Sequence, residues 1–542
     1  VHVPISSFWL FRHYRLPLLL ALGCSTLHAA NLTWSSTGTS TSGGDGNWTG
    51  GTTWWNGSTG VSWTDGDTAI FNAAGNTTVN SAVIVDRITF SNHTDDISIA
   101  NGSGTITLNS GITATNPFQV GPRTFTISES IALGASQTWE VNNAGSSGVG
   151  TANLLVSGNI SGSSLGITKT GNGTLTLSGA NNTYSGDTTI NAGTLTLANT
   201  AQNNTTIRGN ILINGGTLKF GVLNSNNQIA DTSSVTMTSG SLFVSQADTI
   251  NTLSVSGGYM NLTGGLNVTN SSSFTGGSLT VGARSLSATL TGPITLGNYT
   301  FGWGANTPFS NSTGIAIGGD ISVNAGTTVN FQGAEGWSGF NGRLTFNTNR
   351  VIDVGANANM NVQWGISGTG GFTKNGTGTL TLSGVNTYTG ATTINVGTLA
   401  TSGDNRIATN NSVTVNSGGT FALGGNQTLA SITGSGAIQL GNYTLTTGAS
   451  NSTYSGTISG NGGLTKSGAG RFELTGDTSI GGNLVATAGT LVINGANATS
   501  AASMTIQSDA TLMGSGIISG NATISGTHSP GNSPGVQTFQ NN

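Results

Sequence analysis

Proton-transfer chemistry has little to draw on in this sequence. A serine nucleophile needs a histidine to take its proton. Of the five histidines, His2, His13 and His28 fall in the first thirty residues, which leaves His93 and His528 near opposite ends of the remaining chain. Gly-x-Ser-x-Gly elbows are uninformative among 87 glycines, and no strand-to-helix context is expected for one. Carboxylate chemistry needs acids in pairs or clusters, yet the 18 Asp and Glu are scattered. The closest groupings are Asp65 with Asp67, Asp95 with Asp96, and Glu473 with Asp477. Asp65 and Asp67 stand at i and i+2, so a strand would place both on one face, as a weak calcium site requires; the favoured reading is a polar turn ahead of Ile70 and Phe71. Asp95 and Asp96 either alternate to opposite faces or share a turn. The regularly spaced Asp of calcium-binding nonapeptide repeats is absent. No catalytic, cofactor-binding or metal residue is assigned, and no cofactor is expected.

Tryptophan is the remaining candidate for a site. Trp34, Trp48, Trp54, Trp55 and Trp63 are half of the ten in the chain. Exposed beside Asn and Asp they would stack on sugar rings; buried they would cover the apolar end of a stacked fold. Capping is the favoured reading.

The elements that would position such residues are constrained by composition. Charged residues make up 6% of the chain, against roughly 25% in an ordinary soluble domain. Helical bundles and doubly wound α/β folds need charged helix surfaces, which this sequence lacks. The apolar set is 35%, so there is material for a core. A chain of 542 residues usually splits into several domains unless its core grows by stacking. Beyond residue 30, 12 Lys or Arg face 18 Asp or Glu, a net charge of −6, and no basic stripe exists for nucleic acid.

The first thirty residues read as an export signal. Arg12, His13 and Arg15 form a positive n-region, Leu16 to Cys24 an apolar h-region, and Leu27 to Ala30 a small-residue exit. The stretch is too short to span a membrane. A lipoprotein signal acylated at Cys24 is the rival reading, less favoured because Ala21 stands where Leu is usual. Cys24 is the only cysteine, so the exported chain is expected to have no thiol or disulfide partner. The chain opens on Val1 with its first methionine at Met237, which a non-Met start codon would explain. The stop at Asn542, with no apolar anchor and no barrel strands, reads as a truncated end or a secreted form.

Between these ends, short apolar segments alternate with a period of two, as in Thr105 to Leu108, Ile211 to Ile213, Val413 to Val415 and Leu491 to Ile493. Strands of four to six residues follow, and very little helix. Three stretches are nearly the same. Ile167 to Gly179 (ITKTGNGTLTLSG) continues to Tyr184 and Leu197; Phe372 to Gly384 (FTKNGTGTLTLSG) continues to Tyr388 and Leu399; Leu464 to Gly476 (LTKSGAGRFELTG) continues to Leu491 and Ile493. Leu175 to Leu195 is 20 residues, and Leu380 to Leu399 and Phe472 to Leu491 are 19. That is about one coil of a parallel β-helix, so each pair is expected to stack in adjacent coils, with both side chains inside and the intervening Thr174, Thr176, Thr194 and Thr196 outside. Asn181-Asn182 in the first copy against Asn386 alone in the second places the extra residue in a turn.

These motifs resemble the autotransporter-associated β-strand repeat, also called the passenger-associated transport repeat, of bacterial surface proteins. The resemblance implies a right-handed parallel β-helix, exported and displayed or released at the surface of a Gram-negative-type cell, with the repeat aiding secretion. The Trp34 to Trp63 region followed by Asp67 to Phe71 is similar to the opening of many such proteins, and Ser529 to Phe539 to the point where many continue into an outer-membrane anchor. Lys169, Lys374 and Lys466 occupy one repeat position. They read either as recurring contacts with the export machinery or an anionic polymer, or, the favoured reading, as solvated strand-start charges that block edge pairing.

The expected organisation is an export signal at 1–30, Trp-rich capping and first coils at 31–130, a β-helix at 131–513 with repeats at 165–198, 371–400 and 463–493, and the solenoid's end at 514–542. The expected function is a non-enzymatic, secreted or cell-surface β-solenoid, structural or adhesive, with surface glycans, other cells and the export machinery as partners. The alternatives are a polysaccharide lyase or hydrolase on a β-helix, and a degenerate fragment with no function of its own.

Overall fold

The computed structural model describes residues 29–542 apart from 40–42, 92–94, 118–120, 144–149, 202–203, 222–226, 263, 282–287, 291–293, 297–298, 304–314, 318–320, 324–327, 332–342, 364, 496–498, 532–534 and 541–542. The expected export signal with Cys24, and His93, lie outside the described residues.

Alternation of small apolar and Thr or Ser side chains produces strands, and the Gly and Asn between them produce corners. The described residues contain 54 strands in one sheet and no helix. All pairings are parallel except two near the start. Three strands make one coil where the pattern is regular: Ala152–Val156, Ile160–Ser161 and Ile167–Thr170 lie on Arg123–Ile127, Ile131–Leu133 and Gln137–Asn142 of the coil before. The fold is a parallel β-solenoid. Several strands exceed the predicted four to six residues, and Ser234–Val244 and Ser412–Ala422 reach 11. Hydrogen bonding there continues round a corner, with register shifts absorbing the odd residue, as between Ile213 and Thr217.

The coil count holds in the register. Leu175 pairs with Leu195 and Leu177 with Leu197; Leu380 pairs with Leu399; Phe472 pairs with Leu491 and Leu474 with Ile493. All ten side chains are buried, while Thr174, Thr176, Thr194 and Thr196 are half-exposed on the outer face.

The beginning of the ladder is closed. Asn31–Trp34 pairs in parallel with Asp67–Phe71, while its other edge is taken by Trp54–Trp55 running antiparallel, which in turn pairs antiparallel with Gly60–Val61. An antiparallel hairpin thus covers what would be an open parallel edge. Trp34, Trp48 and Trp54 are fully buried beneath it. Trp48 and Trp54 lie 5.1 Å apart and Trp63 packs on both at 5.2 and 4.9 Å. From this plug a stack of Phe71, Phe90 and Phe125, with ring centres 5.4 and 5.2 Å apart, leads into the core.

Candidate functional site: the interior of the repeats

The lysines are where the sequence reading fails. Lys169, Lys374 and Lys466 are all completely buried, so they are neither solvated strand-start charges nor contacts for an outside partner. Each lies two residues after an inward apolar residue, Ile167, Phe372 or Leu464, and strand alternation turns it inward too. Its stem stacks in an interior column: Lys169 between Trp139 and Ile190, Lys374 between Ile352 and Ile394, Lys466 between Thr447 and Ala486.

The charged end meets the same three partners every time. Lys169 Nζ donates to the carbonyls of Thr170 (2.6 Å), Gly171 (2.8 Å) and Ala192 (3.3 Å). Lys374 Nζ donates to Asn375 (2.7 Å), Gly376 (2.8 Å) and Val396 (3.2 Å), and Lys466 Nζ to Ser467 (3.1 Å), Gly468 (2.8 Å) and Ala488 (2.9 Å). Two carbonyls belong to the turn just after the lysine and the third to the turn of the next coil. The turn needs glycine: Gly376 and Gly397 have φ of +74° and +72°, and a Cβ on Gly397 would strike the carbonyls of Gly376 and Gly378. A tight left-handed corner points carbonyls inward without a backbone donor. An ammonium has three donors and no acceptor, which matches the need.

Electrostatics pull both ways at this corner. Burial pushes the Lys169 and Lys374 ammonium groups down from the usual 10.5 to about 8, with Glu140 and Asp353 respectively pulling back up; burial alone lowers Lys466. The three carbonyls favour the charged form. With every ammonium proton committed, the amine has no N–H to offer a ligand.

A second set of ties involves the asparagines that the sequence places in a turn and the tyrosines that follow them. Asn182 Oδ1 accepts from Ile160 N (2.8 Å) and its Nδ2 donates to Thr206 O (3.2 Å), so one side chain joins the coils before and after it. Asn386 does the same between Ile366 N (2.6 Å) and Arg406 O. Two residues on, the buried Tyr184 and Tyr388 share hydrogen bonds with the Thr188 and Thr392 hydroxyls at 3.1 and 2.7 Å. Burial pushes the Tyr184 phenol up to about 12 and that of Tyr388 higher.

The remaining candidates are not brought together. Asp65 sits in a turn, accepting from Ile84 N (2.9 Å) and Trp63 Nε1 (3.3 Å), whereas Asp67 opens the strand Asp67–Phe71, points inward and accepts from Ala30 N (2.8 Å), so the two carboxylates do not share the strand face a calcium site would use. Asp96 accepts from Thr124 N (2.8 Å). Glu473 pairs with Arg471 and Asn494, and the Asp477 carbonyl accepts from Ile458 N. His528 Nε2 lies 2.9 Å from Gln537 Oε1. Among the described residues no group of three or more His, Cys, Asp or Glu is placed to hold a metal ion. Trp34, Trp48 and Trp54 have no face free for a sugar.

A parallel β-solenoid whose recurring coil pairs are tied from inside is the class these features define. The passenger-associated-transport-repeat model matches residues 167–197, 372–400 and 464–502, the stretches that carry the three lysines. The chain therefore carries three such repeats, each on its parallel ladder. No curated protein and no solved structure matches it.

Proposed function

We propose that this chain is an exported, non-enzymatic passenger displayed on or released from the surface of a Gram-negative-type cell, where the solenoid serves as a rigid structural or adhesive element. The observation that carries the reading is that three passenger-associated transport repeats occur on one continuous parallel ladder, each folded as the same lysine-tied coil pair. The repeats supply coils that can close on their own sequence neighbours. Each tie reaches only to the adjacent coil, so a chain emerging from one end can lock coil by coil, which suits vectorial export. The expected partners are the export machinery during passage and surface glycans or other cells afterwards.

Protease added to intact cells should degrade the chain, or the chain should be found in the medium; full protection inside the envelope would overturn the reading. The purified chain should release no unsaturated or reducing sugar from pectate or alginate, with or without calcium. Turnover in that assay would replace the passenger reading with a polysaccharide-active one.

A further inference from the structure

One outer face of the solenoid carries a hollow that the repeats do not account for. Two outward columns run in unbroken register from Arg123–Ile127 to Tyr259–Leu262. One contains Thr124, Asn153, Thr174, Thr194, Thr217, Ser241 and Tyr259, the other Thr126, Leu155, Thr176, Thr196, Lys219, Phe243 and Asn261. Neither column holds a carboxylate, although the chain is acidic overall. At their centre an open hollow of about 370 Å³ is lined by Thr174, Thr194, Thr196, Thr217, Lys219 and Phe243.

The lining groups are unengaged. None of the four threonine hydroxyls, nor Lys219 Nζ, has a hydrogen bond or ion pair among the described residues, whereas elsewhere outer-face hydroxyls pair with one another, as Thr414 does with Thr433 and Ser431 with Ser412. Lys219 is exposed, in contrast to the three repeat lysines locked in the core. Phe243 is half-exposed and held edge-to-face by Tyr259 at 5.9 Å, so its ring is a fixed platform.

We propose that this hollow binds a carboxylate-bearing polysaccharide of the polyuronate class. Threonine hydroxyls donate to and accept from sugar hydroxyls, the Phe243 ring takes the C–H face of a pyranose, and Lys219 pairs with the carboxylate. The coil repeat of ~4.8 Å spaces the Thr174, Thr194 and Thr217 hydroxyls along the hollow, with Lys219 and Phe243 on neighbouring coils of the second column. The one cation in the lining, Lys219, pairs with one carboxylate of the bound segment, and the threonines and Phe243 hold the sugars on either side of it. This assignment rests on the surface-passenger reading and names the ligand class that such a passenger would meet outside the cell.

The test is titration calorimetry of the full chain with an alginate hexamer and with its carboxyl-reduced counterpart. The reduced hexamer should bind about 3-fold more weakly, Lys219→Gln should remove that difference, and Phe243→Ala should weaken both by about 10-fold. Thr381→Ala, at an equivalent outer position several coils away, should change nothing. Both variants alter outer-face side chains, and an unchanged far-ultraviolet spectrum separates lost binding from lost fold. Equal affinity for the two hexamers, no binding of either, or wild-type binding by both variants would overturn the assignment. Each of those results leaves the passenger reading to be decided by protease accessibility on cells.

Discussion

Copies one and two of the repeat solve one corner in a way that copy three does not. Where Asn182 and Asn386 bridge the coils on either side, copy three has Thr478, and where Tyr184 and Tyr388 reach Thr188 and Thr392, it has Ile480 and Leu484. The Asn amide had accepted the N–H of Ile160 or Ile366; in copy three the Asp477 backbone carbonyl accepts from Ile458 N, and Thr478–Ile480 has become a regular strand. Side-chain bridging and backbone pairing are therefore interchangeable on that side of the coil. The exchange is imperfect, because the buried Thr478 hydroxyl is left without a partner. The lysine corner shows no such exchange: all three copies keep the ammonium and its three carbonyls. A left-handed glycine turn has no spare N–H to aim inward, so nothing in the backbone can replace the side chain.

The most drastic break targets what the copies share, the leucine register. Leu380 is fully buried between Met360 and Leu399, so Leu380→Asp should cost more than ~4 kcal/mol by placing an unpaired charge in the core. Thr381→Asp, one residue on and facing outward, should stay within ~0.5 kcal/mol. Denaturant midpoints of the two variants decide it, and similar losses would mean that the two faces are wrongly assigned.

Next in size is the lysine tie. Lys374→Met keeps the apolar stem but strands the carbonyls of Asn375, Gly376 and Val396, and should cost ~3 kcal/mol; Lys466→Met should cost about the same. Limited proteolysis would register either loss as new cleavage near the corner. Full resistance in both variants would mean that the corner holds without its ammonium.

Why the register was legible and the tie was not follows from residue type. Leucine at a 19- or 20-residue offset with period-two neighbours admits one stacking, and a slip by one residue would turn every leucine outward. Lysine is among the least buried of residues, so type pointed outward. The contrary signal was present: Lys169, Lys374 and Lys466 share parity with Ile167, Phe372 and Leu464, and each is followed two residues later by glycine. Asn386 and Tyr388 could not be read as ties, because their partners, Ile366, Arg406 and Thr392, are fixed only once the coil length around them is known. The hollow at Lys219 was hidden for the same reason, as its threonines come from separate coils and converge only through register.

The differing corner gives smaller effects of opposite sign. Asn386→Val should cost ~2 kcal/mol, since Ile366 N and Arg406 O both lose a buried partner. Thr478→Val should stabilise by ~1 kcal/mol, because it removes a buried hydroxyl that bonds to nothing and nearly conserves volume. Melting curves of the two variants should shift in opposite directions. A loss at Thr478→Val would show that copy three depends on that hydroxyl after all.

The smallest effect is a pH dependence, and its direction separates a desolvated lysine from an ordinary surface one. Lys374 in the folded chain releases its proton near 8, while the same side chain unfolded holds it to 10.5. Between those values the unfolded state binds more protons, so the lysine's contribution to stability rises with pH: it is fully present above 10.5 and is lost as pH falls through about 8. Neutralisation relieves the burial penalty. The buried tyrosines act the other way at higher pH, because Tyr184 unfolded ionises near 10 but folded only near 12, so its contribution is lost as pH rises through that range. The clean window is therefore pH 7.5 to 9. Across it, wild type should gain roughly 0.5–1 kcal/mol relative to Lys374→Met, below the ceiling of ~1.4 kcal/mol per pH unit that one proton allows. Urea melts of the pair at four pH values would measure it. A flat difference would mean that the three carbonyls hold the ammonium charged throughout, making the tie a permanent interior cation rather than a titrating one.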